Sequence, residues 1–241
     1  LTYNANGHGT DPSTVTMTYN AATKAAEAIT AEGYTFSKWT TAANGSGTSY
    51  AAGAQIKAAN VDPAATTLYA QWTANKYTIA YNANGGETTP ASTSATYDAN
   101  ATLAAAPART GYTFAGWKVG DTTYNASASV INLSSTNGAT VTATAQWTEN
   151  TATLTYNANG HGTAPEAVTM KTTEATNAAA ALSEKGFVFN GWNTAANGKG
   201  TSYAAGAEVK AANVNPTATT LYAQWLTVTD AHLESGKCDV G

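Results

Sequence analysis

A chain of 241 residues can hold one large domain or several small ones, and its charge is mild, with 11 Lys and Arg against 15 Asp and Glu for a net −4. Charged residues make up only 11% of the chain, against about 25% in an average soluble domain, and the basic ones are scattered singly. That balance gives no electrostatic footprint for nucleic acid or for an anionic membrane surface, and a single cysteine, Cys238, excludes an internal disulfide framework and any cysteine-based metal cluster.

Bulk aliphatic side chains are scarce, since Leu, Ile, Val and Phe together number 28. The low net charge argues against disorder all the same, and 13 Tyr and 6 Trp replace the missing volume. Each aromatic ring buries roughly 150–250 Å², so a few per unit can build a compact core. No run approaches the roughly 18 apolar residues that span a bilayer. Leu1 already lies in a strand-like stretch, as though the chain starts at the edge of a module.

In chain order, LTYNA (1–5) alternates at period two, with Leu1, Tyr3 and Ala5 on one face, and predicts a strand. NANG follows as a turn rich in residues that accept positive φ at low cost. VTMTY (15–19) alternates again. The stretch ATKAAEAITAEG (22–33) is alanine-rich and stops at Gly33, which predicts one or two helical turns with a glycine cap. In GYTFSKW, Tyr34 and Phe36 share a face but Trp39 breaks the alternation, as a bulge or a strand end that re-aims it would make it do. The glycine loop AANGSG then leads to Tyr50, and LYAQW closes the unit with Leu68, Ala70 and Trp72 on one face.

This order occurs three times. Residues 33–54 and 186–207 share 16 of 22 positions, and LTYNANGHGT stands at both 1–10 and 154–163. The anchors GYTFSKW, GYTFAGW and GFVFNGW end at Trp39, Trp117 and Trp192, and LYAQW, ATAQW and LYAQW end at Trp72, Trp147 and Trp225. Modules at 1–75, 76–150 and 151–227 follow, with 228–241 as a tail or the start of another segment. Pro107 interrupts the helical stretch of the middle copy, whose glycine loop is also trimmed. TANK (73–76) and TENT (148–151) are short polar connectors that favour a semi-stiff, elongated array.

At YNANGG, GYTFxGWxT, NGxGTxYxAG and LYAQW the sequence resembles the Listeria–Bacteroides repeat family, the internalin B-repeat type, over three tandem copies. The resemblance implies an α+β, mainly β, β-grasp-like (ubiquitin-like) fold for each module, a sheet crossed by one short helix. It also implies a stalk or spacer within a bacterial cell-surface or secreted protein, or alternatively an adhesive module that binds a host protein or glycan. It supplies no catalytic residues and no cofactor. Ala143 and Thr144 replace the Leu and Tyr of LYAQW in the middle module, which is expected to pack less tightly.

The structural core is assigned to Tyr3, Phe36, Trp39, Trp72, Tyr81, Phe114, Trp117, Trp147, Tyr156, Phe189, Trp192 and Trp225. Tyr50 and Tyr203 are expected in the core or at its rim. His8 and His161 share the turn NGHGT, and with Gly86 at that position in the middle copy they read as turn residues; His232 stands alone. The glycine loops lack the carboxylates of a calcium site and the lysine of a phosphate loop. No acid pair recurs beside an aromatic cluster, so no enzyme is expected. An isopeptide crosslink at Lys57 or Lys210 is conceivable, and Cys238 reads as a residue of whatever follows the repeats. The expected partners are at most a surface protein or glycan, with no nucleic acid, no membrane insertion and a monomeric state.

Overall fold

The computed structural model describes residues 1–57, 66–211 and 218–227. The tail, with His232 and Cys238, lies outside the described residues. Backbone packing divides the chain into two compact units, 1–108 with 114–146, and 109–113 with the chain from 147 onward.

Repeat 1 supplies β1 (Thr2–Asn4), β2 (Ala22–Lys24), β3 (Tyr34–Thr40), β4 (Ser49–Tyr50), β5 (Gln55–Lys57) and β6 (Thr67–Ala74). Repeat 2 supplies β7 (Lys76–Asn82), β8 (Thr93–Thr96), β9 (Ala101–Thr102), β10 (Tyr112–Val119), β11 (Thr122–Tyr124), β12 (Ser129–Val130) and β13 (Thr140–Glu149). Repeat 3 supplies β14 (Thr151–Asn157), β15 (Val168–Lys171), β16 (Ala175–Asn177), β17 (Phe187–Asn193), β18 (Ser202–Tyr203), β19 (Glu208–Lys210) and β20 (Ala218–Thr227).

Each repeat sets a mixed sheet against a two-stranded one, like a small sandwich. The mixed sheets run β1-β6-β3-β4, β11-β10-β13-β7-β8 and β15-β14-β20-β17-β18, and the small sheets pair β2 with β5, β9 with β12 and β16 with β19. In every mixed sheet the first long strand lies parallel to the last one of its repeat, as in Tyr3 opposite Leu68 and Tyr156 opposite Leu221. A parallel pair needs a long crossover, and the rest of the repeat serves as that connection.

The expectation of an α+β, β-grasp-like module with a helix is overturned. The described residues contain no α-helix, and the fold is all-β. The segment 22–33 shows why its alanines mislead. Ala22–Lys24 pairs with Gln55–Lys57 as a strand, and the backbone beyond is claimed by side chains and by a neighbouring chain segment. Ala26 N–H donates to the Tyr3 hydroxyl at 2.8 Å, Trp39 Nε1 donates to Ala26 O at 2.9 Å, and Ala25 N–H donates to Ala54 O at 2.7 Å. With those groups engaged across the core, no i→i−4 ladder can form. The same bonds recur at Ala104 with Tyr81 and Trp117, and at Ala179 with Tyr156 and Trp192. Small side chains are there because an indole lies against the backbone.

Of the bulge or strand end expected before Trp39, the structure has the bulge. The β3–β6 register slips between Phe36 and Lys38, and β17–β20 slips between Phe189 and Trp192. The slip turns Trp39 and Trp192 inward, where each is 0% exposed, as is Trp117. Tyr3 meets Trp39 at 5.0 Å between ring centres, and Phe36 meets it at 5.1 Å. Ile56, Leu68 and Ala25 complete that core. In repeat 3, Val209, Leu221 and Ala223 do so around Trp192.

Candidate functional site

A site in a chain of repeats can lie within one module or where two meet, and the polar groups concentrate at the meeting. Asn75 is the residue between β6 and β7, and it is 8% exposed despite lying in a connector. All of its polar groups are engaged, as a buried polar residue requires. Its N–H donates to Gly33 O at 2.8 Å, its carbonyl accepts from Tyr97 N–H at 2.8 Å, its Oδ1 accepts from the Thr35 hydroxyl at 2.5 Å, and its Nδ2 donates to Ser135 O at 2.7 Å. Gly33, Thr35 and Asn75 belong to repeat 1 and its connector, while Tyr97 and Ser135 belong to repeat 2. One residue, through its side chain and its backbone N–H and C=O, therefore ties two modules together.

Gly33 forms the floor of this contact. Its φ is +75°, and a Cβ built there would stand 2.1 Å from the Tyr97 ring. Only glycine satisfies both demands. Tyr97 also meets Tyr34 edge-on, with 5.7 Å between ring centres. Beside it the Tyr34 hydroxyl donates to Asp98 Oδ2 at 2.7 Å, and Asn132 Nδ2 donates to Asp98 Oδ1 at 2.7 Å. These two hydrogen bonds, that from Asn132 first, hold the Asp98 carboxyl below its usual value, and sharing its proton with Asp98 raises the Tyr34 phenol.

The second connector repeats the pattern inside the second compact unit. Asn150 N–H donates to Gly111 O at 2.9 Å, Thr172 N–H donates to Asn150 O at 2.9 Å, and the Thr113 hydroxyl donates to Asn150 Oδ1 at 2.5 Å. A Cβ on Gly111 would stand 2.6 Å from Thr173. Glu149 accepts a short hydrogen bond from Thr173 and pairs with Lys171 at 3.4 Å. The Thr173 bond is the main reason its carboxyl sits low.

The residues assigned to the core fall into two rows. Trp39, Trp117 and Trp192 are fully buried, and Tyr3, Tyr81 and Tyr156 nearly so. Phe36, Phe114, Phe189, Trp72, Trp147 and Trp225 are half-buried. Trp72 and Trp225 each donate Nε1 to the carbonyl of an alanine in the first turn, Ala5 or Ala158, at 2.8 Å. Tyr50 stands opposite Trp39 and Tyr203 opposite Trp192. Burial pushes the Tyr3 and Tyr156 phenols up. His8 lies in its turn but is stacked on Tyr34 at 3.8 Å, and His161 on Phe187 at 3.7 Å. Lys57 and Lys210 are exposed strand residues. Among the described residues no three His, Cys, Asp or Glu side chains converge on a point that could hold a metal ion. Among the same residues no helix is long and apolar enough to cross a membrane.

Sequence reading missed Asn75 and Asn150. The available signal was an asparagine three residues after the closing tryptophan in both connectors, where any polar residue would have served a plain linker.

Fold and site together define a tandem-repeat, all-β protein whose polar machinery lies between modules. The Listeria–Bacteroides repeat domain matches residues 1–71, 77–144 and 153–224, and the chain belongs to that family. It is 31% identical over 162 residues to a protein of Evansella cellulosilytica whose name describes it as a membrane protein, covering 66% of this chain and 23% of the relative. It is 37% identical over 103 residues to internalin H of Listeria monocytogenes, covering 43% of this chain and 17% of the relative. The chain thus spans less than a quarter of the length of these curated relatives. Repeats of this family occur in bacterial surface proteins such as internalin H.

Proposed function

We propose that this chain is a non-enzymatic spacer of a bacterial cell-surface or secreted protein, which sets the distance and direction between other domains. The observation that carries this reading is Asn75. A flexible tether leaves its connector in water, whereas here the connector residue is buried and bonded to both neighbours. The low-charge exterior fits a segment that stays soluble without attracting charged partners.

The test is a distance distribution between spin labels at Ser46→Cys and Asp121→Cys in a Cys238→Ser background. Both labelled positions are exposed, one in each of the first two repeats. A spacer gives one narrow distribution that broadens in Asn75→Gly. A broad distribution in the parent protein removes the reading.

A further inference from the structure

The contact between repeats 1 and 2 has two halves, and each half occurs once more without its counterpart among the described residues. The floor half is a positive-φ glycine followed by an aromatic ring that stacks on a histidine. Gly33, Tyr34 and His8 make it in repeat 1, and Gly186, Phe187 and His161 rebuild it in repeat 3. The tyrosine half is the turn that leads into the two-stranded sheet, before β2 in repeat 1 and before β9 in repeat 2. Tyr97 sits in the turn closed by Ala99 N–H to Thr96 O, and Tyr19 sits in the same turn of repeat 1, closed by Ala21 N–H to Thr18 O.

Gly33 is buried under Tyr97, whereas Gly186 is exposed, with no described atom within 4 Å of a built Cβ. Tyr19 is 66% exposed. Where the floor is covered, the flanking positions are threonines, Thr35 and Thr73 at the first and Thr113 and Thr148 at the second. Around the uncovered floor they are Val188 and Leu226, cross-strand partners that are each 42% exposed. The polar complement changes in step. Tyr34 bonds to Asp98, but Phe187 has no hydroxyl, and Asn20 stands where Asp98 does.

We propose that the Tyr19 turn of one copy seats on the Gly186–Phe187 floor of a second copy, head to tail, with Val188 and Leu226 closing over the ring. This goes beyond the spacer reading and does not depend on it. A surface met by a different surface generates open chains, or rings where the rotation closes. A linked contact of this kind stays closed at an effective concentration of roughly millimolar only if its Kd is no weaker than about 1 mM, and the same bound is expected between separate molecules.

The test is sedimentation equilibrium of the full chain in a Cys238→Ser background, as a concentration series reaching about 1 mM. The parent protein is expected to gain mass steadily, and Tyr19→Ser and the double variant Val188→Thr/Leu226→Thr to stay monomeric. All these positions are exposed, and unchanged tryptophan fluorescence confirms that each variant is folded. Mixed together, the two variants keep one good half each and should form one-to-one dimers and nothing larger. A monomeric parent, association that survives Tyr19→Ser, or a mixture with no dimer overturns the proposal.

Discussion

The histidine turns show a ring exchanged for a cation. His8 covers the Tyr34 ring and meets Trp72 edge-on at 6.2 Å, and His161 does the same with Phe187 and Trp225. In repeat 2 that turn carries Gly86. There the Arg109 guanidinium lies 3.8 Å from the centre of the Tyr112 ring and 5.8 Å from that of Trp147. A flat cationic or aromatic group covers the half-buried closing tryptophan in each copy, although it comes from different places in the sequence. Ring stacking of this kind contributes about 0.5–1.5 kcal/mol and an exposed guanidinium over a ring about 0.5–1 kcal/mol. His8→Gly and Arg109→Ala should each lower urea stability by about 1 kcal/mol, read from tryptophan fluorescence. No loss in either variant would show that the stacks are incidental.

At the scale of elements, most strands and the break before Trp39 were legible from period-two patterns and a displaced tryptophan, although VTMTY (15–19) alternates without forming a strand in repeat 1. The alanine stretch was not. Ala25–Glu27 has the composition of a helix, and the residues that forbid one, Tyr3 and Trp39, are distant in sequence. Core volume obeys the same logic. Leu68 and Leu221 are fully buried where repeat 2 has Ala143, while repeat 2 buries Leu103 where the others have Ala25 and Ala178. The bulk lost at one position reappears at the other, so the middle module keeps its leucine despite the weaker motif. In repeat 1 both positions belong to one core. Leu68→Ala should cost about 2–5 kcal/mol, and Ala25→Leu alone about 1–3 kcal/mol through overpacking. The double variant should recover at least a third of the summed loss in thermal or urea unfolding. Strict additivity would show that the two sites do not share space.

At the scale of the molecule, the contact between repeats 1 and 2 contains a hydrogen-bonded pair of titratable groups, Asp98 and Tyr34, that respond in opposite directions, beside the Tyr97 phenol, which burial also raises. Asp98 is held below its ordinary 3.8 by hydrogen bonds from Asn132 and Tyr34, so its contribution is complete above the unfolded value and is lost as pH falls through the folded one. Tyr34 is raised above 10.0 by its bond to Asp98, so its contribution is complete below the unfolded value and is lost as pH rises through the folded one. Between about pH 4 and pH 10 the pair is intact. The label distance between Ser46→Cys and Asp121→Cys should therefore stay narrow across that window and broaden on both sides of it. Asp98→Asn should remove the broadening in acid, because no proton is left to take up, and Tyr34→Phe should remove the alkaline change attributable to this phenol. The buried Tyr3 phenol is also raised, so unfolding in strong alkali has to be followed in parallel by circular dichroism. An acid edge that persists unchanged in Asp98→Asn would mean that the modules are held by Asn75 and Gly33 alone, with the carboxylate a bystander.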